Sequence, residues 1–128
     1  MSRVRGAIAA LQSPRLALAV FAFVSMGAWA LFTNAGHALA AGARAGLIQG
    51  LISAALVFAQ APLLKALRAQ ARGRLALIAP PLIVCALFLA LLMLAQFLAG
   101  AHNIVGTIAA PAVFALVLTA WEQWRRRR

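Results

Sequence analysis

Four long apolar runs, separated by short polar segments, constrain the fold of this chain more than any other feature of its sequence. Their approximate limits are residues 16–32, 45–64, 75–99 and 104–121. Each run is close to the roughly 17 to 25 residues that a helix needs to cross a bilayer core. Backbone groups in lipid must be satisfied within their own segment, and strand-like alternation is absent, so all four runs are predicted to be helices. The sequence therefore predicts an all-α integral membrane protein, a four-transmembrane-helix bundle forming a single domain over residues 1–128.

The composition excludes a water-soluble protein. Hydrophobic residues make up 66% of the chain and charged residues only 10%, too few to cover a soluble surface. A net charge of +11 in a soluble protein would indicate nucleic-acid binding. Here the cations flank the apolar runs, which is a topological pattern. Membrane lipids, and no nucleic acid, are the expected partners.

The distribution of the twelve cations predicts the orientation of the chain in the membrane. Three groups flank the spans: Arg3, Arg5 and Arg15; Lys65, Arg68, Arg72 and Arg74; and Arg125, Arg126, Arg127 and Arg128. With four spans, all three groups fall on the side that carries both termini. The positive-inside rule makes that side cytoplasmic. We expect a multi-pass protein of a bacterial-type cytoplasmic (inner) membrane, with both termini inside.

Prolines mark several predicted helix features. Ser13 and Pro14 form a favourable start for the first helix, and Pro62 predicts the end of the second. Pro80-Pro81 and Pro111 fall inside the third and fourth helices, where each proline frees a backbone carbonyl. Such prolines commonly kink a helix, and the alternative is a flexible point that lines a cavity.

The second span carries a face of small and polar residues. Its glycines recur every four residues, at Gly42, Gly46 and Gly50. On a helix, Gln49, Ser53 and Gln60 fall close to the same face. Small residues let two helix backbones approach closely, so this face is predicted to pack inside the bundle or against a second copy of the chain. The alternative makes the two glutamines and the serine the lining of a polar, substrate-binding path.

Arg44 is the only cation predicted on the outer side, where it breaks the charge bias. It lies at the start of the second helix, and the fourth helix starts on the same side. The amide ends of these helices, at Gly42, Gly46, Gly106 and Thr107, could converge on an anion beside Arg44. Neighbouring loop residues could donate hydrogen bonds to a phosphate or carboxylate: His37, His102, Asn34 and Asn103. The alternatives are a contact of Arg44 with an outer-leaflet headgroup and solvated loop histidines.

Several chemistries find no support in the sequence. Two histidines without acidic or thiol partners do not make a metal site, because the one cysteine, Cys85, is predicted to lie deep in the membrane. The one acidic residue, Glu122, lies close to the C-terminal end, so the membrane-depth carboxylate typical of small proton-coupled transporters is missing. Hydrolase, kinase and redox-cofactor motifs are absent. No catalytic activity and no cofactor are predicted.

These features favour a small transport-type protein that binds or translocates an anionic or lipid-linked substrate at its outer face. Four short helices enclose little space, so a substrate path would form more readily between protomers, with the glycine face as the seam. The alternative is a non-catalytic membrane subunit that assembles or stabilises a larger complex. In size and topology the chain is similar to small multidrug exporters and four-span lipid-linked-sugar flippases, but it carries no motif of either.

Overall fold

The computed structural model describes residues 4–6, 9, 13–126 and 128. Within this part of the chain, four long helices follow one another: α1 (Pro14–Asn34), α2 (Leu39–Gln70), α3 (Leu75–Leu98) and α4 (Ile104–Arg125). All four are long and apolar enough to cross a membrane. The predicted all-α class with four apolar spans is confirmed.

Local sequence explains where several helices begin and end. The Ser13 hydroxyl accepts a hydrogen bond from the backbone N–H of Leu16 at 3.2 Å, and Pro14 occupies the first helical position, as predicted for the start of α1. Asn103 caps α4 in the same way. The turn after α3 contains Gly100, whose φ of 72° favours glycine because it has no Cβ.

Helix α2 does not end near Pro62, as the sequence predicted, but continues to Gln70. The preceding residue, Ala61, is buried, and its carbonyl oxygen accepts a hydrogen bond from Arg126 Nη2 at 3.2 Å. Pro62 removes one helical bond, that to the carbonyl oxygen of Phe58, and the helix continues past it. Prolines within transmembrane helices are tolerated where neighbouring groups support the backbone. The link between α2 and α3 shrinks to residues 71–74. Two cations predicted in that link lie on the helix instead: Lys65 and Arg68.

The helices form an antiparallel bundle in which α1 contacts α2 and α4, and α3 contacts α2 and α4. Between α2 and α4 there is a smaller contact across the bundle. One apolar cluster joins α2, α3 and α4: Leu56, Leu64, Val84, Phe88 and Ala115. A second joins α1, α2 and α4: Ala19, Ala22, Val57 and Leu118. In lipid, such clusters stabilise the bundle by close packing, since lipid tails are as apolar as the side chains.

The two ends of the bundle differ in charge. One end, here called the basic end, holds the start of α1, the 71–74 link and the end of α4. The other end, here called the histidine end, holds the α1–α2 turn with His37 and the α3–α4 turn with His102. Glu122 lies at the basic end, where its carboxylate pairs with Arg125 at 3.7 Å and Arg126 at 3.9 Å.

Candidate functional site

Arg44 lies near the start of α2 at the histidine end, with an exposed side chain. Among the described residues, no hydrogen bond or ion pair engages its guanidinium. Its Nη2 atom approaches Gly100 so closely that a Cβ built there would lie 3.7 Å away. Arg44 therefore lies beside the α3–α4 turn, next to Gly100, which precedes His102 by two residues.

The two histidines, predicted in separate loops, stack on each other. The ring centroids of His37 and His102 lie 4.2 Å apart with an interplanar angle of 15°, and both side chains are exposed. The stack joins the two turns of this end. Arg44, next to Gly100, lies at the same end of the bundle; these three exposed side chains are here called the histidine-end patch.

The two asparagines predicted to bind a ligand are engaged by the fold. Asn34 is fully buried, and its Nδ2 donates to Thr107 Oγ1 at 2.7 Å. Its Oδ1 accepts from the backbone N–H groups of His102 at 3.1 Å and Asn103 at 3.3 Å. The Asn103 side chain accepts from Gly106 N–H at 2.9 Å and caps α4. The side chain of Asn34 is thus enclosed by the fold, whereas Asn103 is exposed, and no described residue accepts a hydrogen bond from its Nδ2.

The amides of Gly42, Gly106 and Thr107, predicted to bind an anion, are engaged within the fold. The backbone N–H of Gly42 donates to Ala38 at 3.0 Å, and that of Thr107 donates to Asn103 at 2.9 Å. Gly106 N–H is already taken by the Asn103 cap. The predicted convergence of these amides on an anion is therefore not found.

The glycine face of α2 packs against α1 of the same chain. A Cβ built on Gly46 would lie 2.8 Å from the carbonyl oxygen of Gly27, and one built on Gly50 would lie 2.9 Å from that of Phe23. Gly42 makes a similar approach to the end of α1. These glycines allow the two backbones to touch. The face is thus occupied within the protomer, and the predicted seam between protomers does not lie there.

The polar residues of α2 bind residues on neighbouring helices. Gln49 is fully buried, and its Oε1 accepts from Gln96 Nε2 of α3 at 2.9 Å. Gln49 Nε2 in turn donates to Ser53 Oγ at 3.4 Å. Gln96 Nε2 also reaches the carbonyl oxygen of Ala45 at 3.3 Å. At this level the predicted polar path is filled by side chains that bond to one another.

A second polar level lies nearer the basic end. Gln60 Nε2 donates to Thr119 Oγ1 of α4, and the Cys85 thiol donates to the same oxygen at 3.6 Å. The Oε1 atoms of Gln60 and Gln96 are buried, and no described residue donates to them. Buried amide oxygens of this kind usually bind a water molecule or a polar ligand atom.

A third level closes the basic end around Gln123. Its Nε2 donates to the carbonyl oxygen of Leu77 at 2.8 Å, and its Oε1 accepts from Arg68 of α2. Leu77 precedes Pro81 by four residues, so its carbonyl lacks the helical N–H partner that another residue would supply. Gln123 thereby satisfies the group freed by the proline and ties together α2, α3 and α4.

The sequence-based predictions named Thr107 only for its backbone amide, and they gave no role to the side chains of Gln96, Thr119 and Gln123. A signal for them exists in α4, where the buried positions include a series spaced by four residues: Thr107, Pro111, Ala115, Thr119 and Gln123. The same spacing identified the glycine face of α2. A stripe of small and polar residues at this spacing is thus a mark of the interior face in both helices.

Comparisons of the chain with protein-family models, with curated proteins and with solved structures found no match. Within the described residues, no three His, Cys, Asp or Glu side chains come together. The function is therefore inferred from the residues and their geometry alone.

Proposed function

We propose that this chain is a small transport-type protein of a bacterial-type inner membrane that binds or translocates an anionic or lipid-linked substrate. Both termini and the basic end face the cytoplasm, because positively charged segments are retained on that side. The histidine end then faces outward. The proposal includes no catalytic step and no cofactor.

The observation that carries the proposal is the uncompensated charge of Arg44. No described residue pairs with its guanidinium, and the one acid of the chain, Glu122, lies at the other end of the bundle. An interfacial guanidinium without a partner attracts an anion from outside the chain, and its planar fork suits a phosphate or carboxylate. The stacked imidazoles of His37 and His102 supply further nitrogen atoms next to it.

Arg44 substitutions test the proposal. Titration of the purified protein in neutral detergent with inorganic phosphate, and separately with a polyprenyl phosphate, measures binding to a free anion and to a lipid-linked one. Removing a charge-assisted hydrogen bond costs about 1.5–3 kcal/mol, so Arg44→Gln should weaken binding by about tenfold or more. Arg44→Lys keeps the charge but lacks the planar guanidinium, so its affinity for the anion should lie between those of the wild type and Arg44→Gln.

Arg72→Gln is the matched control, since it removes an exposed cation at the basic end and should leave both titrations unchanged. Equal binding by the wild type and Arg44→Gln would exclude an anion site at the histidine end.

A second candidate is a non-catalytic membrane subunit that assembles or stabilises a larger complex, in contact with lipids and either copies of itself or another membrane protein. The bonding of Gln49, Ser53 and Gln96 to one another favours it, because a transport path needs polar groups that are free to meet a substrate. Affinity purification from the native membrane separates the two candidates. A stoichiometric partner that persists in Arg44→Gln supports the assembly role.

A further inference from the structure

A groove runs along the outside of the bundle between α3 and α4, at the end opposite to Arg44. Its volume is about 370 Å³, at the lower end of the range for small-molecule sites. It opens to the side, where lipid surrounds a membrane bundle. Apolar side chains form the walls, including Leu82, Leu116 and Ala120.

The lining of the groove becomes more polar toward the basic end. Along α4, Leu116 is the lining residue farthest from the basic end, Thr119 lies about one turn closer to that end beside Cys85 of α3, and Gln123 and Trp124 follow about one turn later. The Thr119 hydroxyl oxygen accepts bonds from Gln60 and Cys85, and none of the described residues accepts its hydrogen. The floor therefore offers a hydroxyl donor to a ligand, in a region where water is scarce.

Guanidinium groups lie where the groove meets the basic end. Arg128 lies over the ring of Trp124, with its Cζ atom 4.1 Å from the ring centroid. Arg68 donates to Gln123, another lining residue. The nearby carboxylate of Glu122 is paired with Arg125 and Arg126. The mouth is thus positively charged, as required for an anionic headgroup.

We propose that this groove binds one acyl chain of an anionic glycerophospholipid from the leaflet at the basic end. Such a lipid has a phosphate, then ester groups, then a hydrocarbon chain. The groove offers a matching order along α4: Arg128 on Trp124 for the phosphate, the Thr119 hydroxyl for an ester carbonyl, and Leu116 for the chain. The site lies at the other end from Arg44 and does not depend on the anion site proposed there.

Trp124 is a local reporter for the test, because it lines the groove. A protein with Trp29→Phe and Trp121→Phe retains Trp124 as its one tryptophan and is placed in vesicles of neutral lipid. Phosphatidylglycerol or phosphatidylcholine, each brominated on its acyl chains, is then added at equal mole fractions. Bromine quenches a tryptophan that it contacts. We expect brominated phosphatidylglycerol to quench Trp124 at a lower mole fraction than brominated phosphatidylcholine.

Two pairs of variants identify the site. Ala120→Phe fills the groove and should abolish the preference, whereas Val117→Phe places the same ring on an exposed part of α4 outside the groove and should retain it. Arg128→Gln should reduce the preference for phosphatidylglycerol over phosphatidylcholine by about fivefold, which corresponds to about 1 kcal/mol for one surface cation. Arg72→Gln should reduce this preference less.

Inorganic phosphate distinguishes a lipid from a free anion. If the groove binds the whole lipid, millimolar phosphate should leave quenching by brominated phosphatidylglycerol in place. Equal quenching by the two brominated lipids, or an undiminished preference in Ala120→Phe, would overturn the proposal.

Discussion

Gly46 at the α1–α2 interface allows a quantitative test of how this bundle is held together. A methyl group built at Gly46 would lie 2.8 Å from the carbonyl oxygen of Gly27, whereas ordinary van der Waals contact begins at 3.4 Å. The difference is 3.4 − 2.8 = 0.6 Å. The obstructing atom belongs to the backbone and has no rotamer to change. Gly46→Ala must therefore separate α1 from α2 by a few tenths of an ångström.

The separation weakens contacts all along the glycine face, since dispersion attraction falls steeply with distance. Overpacking of this kind costs about 1–3 kcal/mol. Alanine is more favourable than glycine within a helix by about 1 kcal/mol, which offsets part of that cost. Because the obstructing atom is rigid backbone, the overpacking cost should lie in the upper part of that range, about 2–3 kcal/mol. We therefore expect Gly46→Ala to lower the free energy of unfolding by about 1–2 kcal/mol, and Gly46→Leu to prevent native packing.

Unfolding in mixed micelles of a mild detergent and dodecyl sulfate measures this free energy. Gly36→Ala is the control, because a Cβ at Gly36 meets no atom within 4 Å. Gly27 faces Gly46 reciprocally, with its own built Cβ 2.9 Å from the Gly46 carbonyl oxygen. One separation of the helices relieves both clashes, so the double variant should cost less than the sum of the single variants. If Gly46→Ala were as stable as Gly36→Ala, close backbone contact would not hold α1 to α2.

Two further predictions concern the basic end. Gln123→Leu should lower the free energy of unfolding by about 1–3 kcal/mol, because it leaves the Leu77 carbonyl without a donor; adding Pro81→Ala should recover part of the loss, since alanine restores the helical N–H. A thermal unfolding series of the four proteins measures this coupling. For topology, Gln70→Cys in a Cys85→Ala background should react with an impermeant thiol reagent only after the membrane is opened. Labelling of this cysteine from outside intact cells would show that the orientation is the reverse of the one proposed.

The helices were predictable from the sequence because membrane helices are specified by apolar length alone. The end of α2 was not predictable, because a proline such as Pro62 can either end a transmembrane helix or lie within it. Whether a proline ends a transmembrane helix depends on what packs around it, and here Ala61 is held by a residue 65 positions later. Long-range contacts of this kind leave no mark in local sequence.

The candidate site was predictable in part. The sequence predicted the exposed Arg44 and loop positions for both histidines, but it could not show that the imidazoles stack, since this depends on two turns meeting. The role of Asn34 was not predictable for a related reason: an asparagine next to a turn can bind a ligand or the backbone, and only the fold decides which. Asn34 binds two backbone N–H groups of a turn that follows it by 68 and 69 residues.

The hydrogen bonds inside the bundle restrict how any ligand can move past this protein. Helix α2 is tied to α3 or α4 at three levels, through Gln49, Gln60 and Arg68. A polar substrate passing between these helices would have to break the hydrogen bonds of each level in turn. Each amide left unpaired in the interior would cost about 1–3 kcal/mol of free energy until it formed a new hydrogen bond. The histidine-end patch and the α3–α4 groove require no such opening, because both are already at the surface. Binding from the water or lipid phase therefore needs no rearrangement of the packed bundle, whereas movement of a ligand through the interior of one protomer would require these bonds to break.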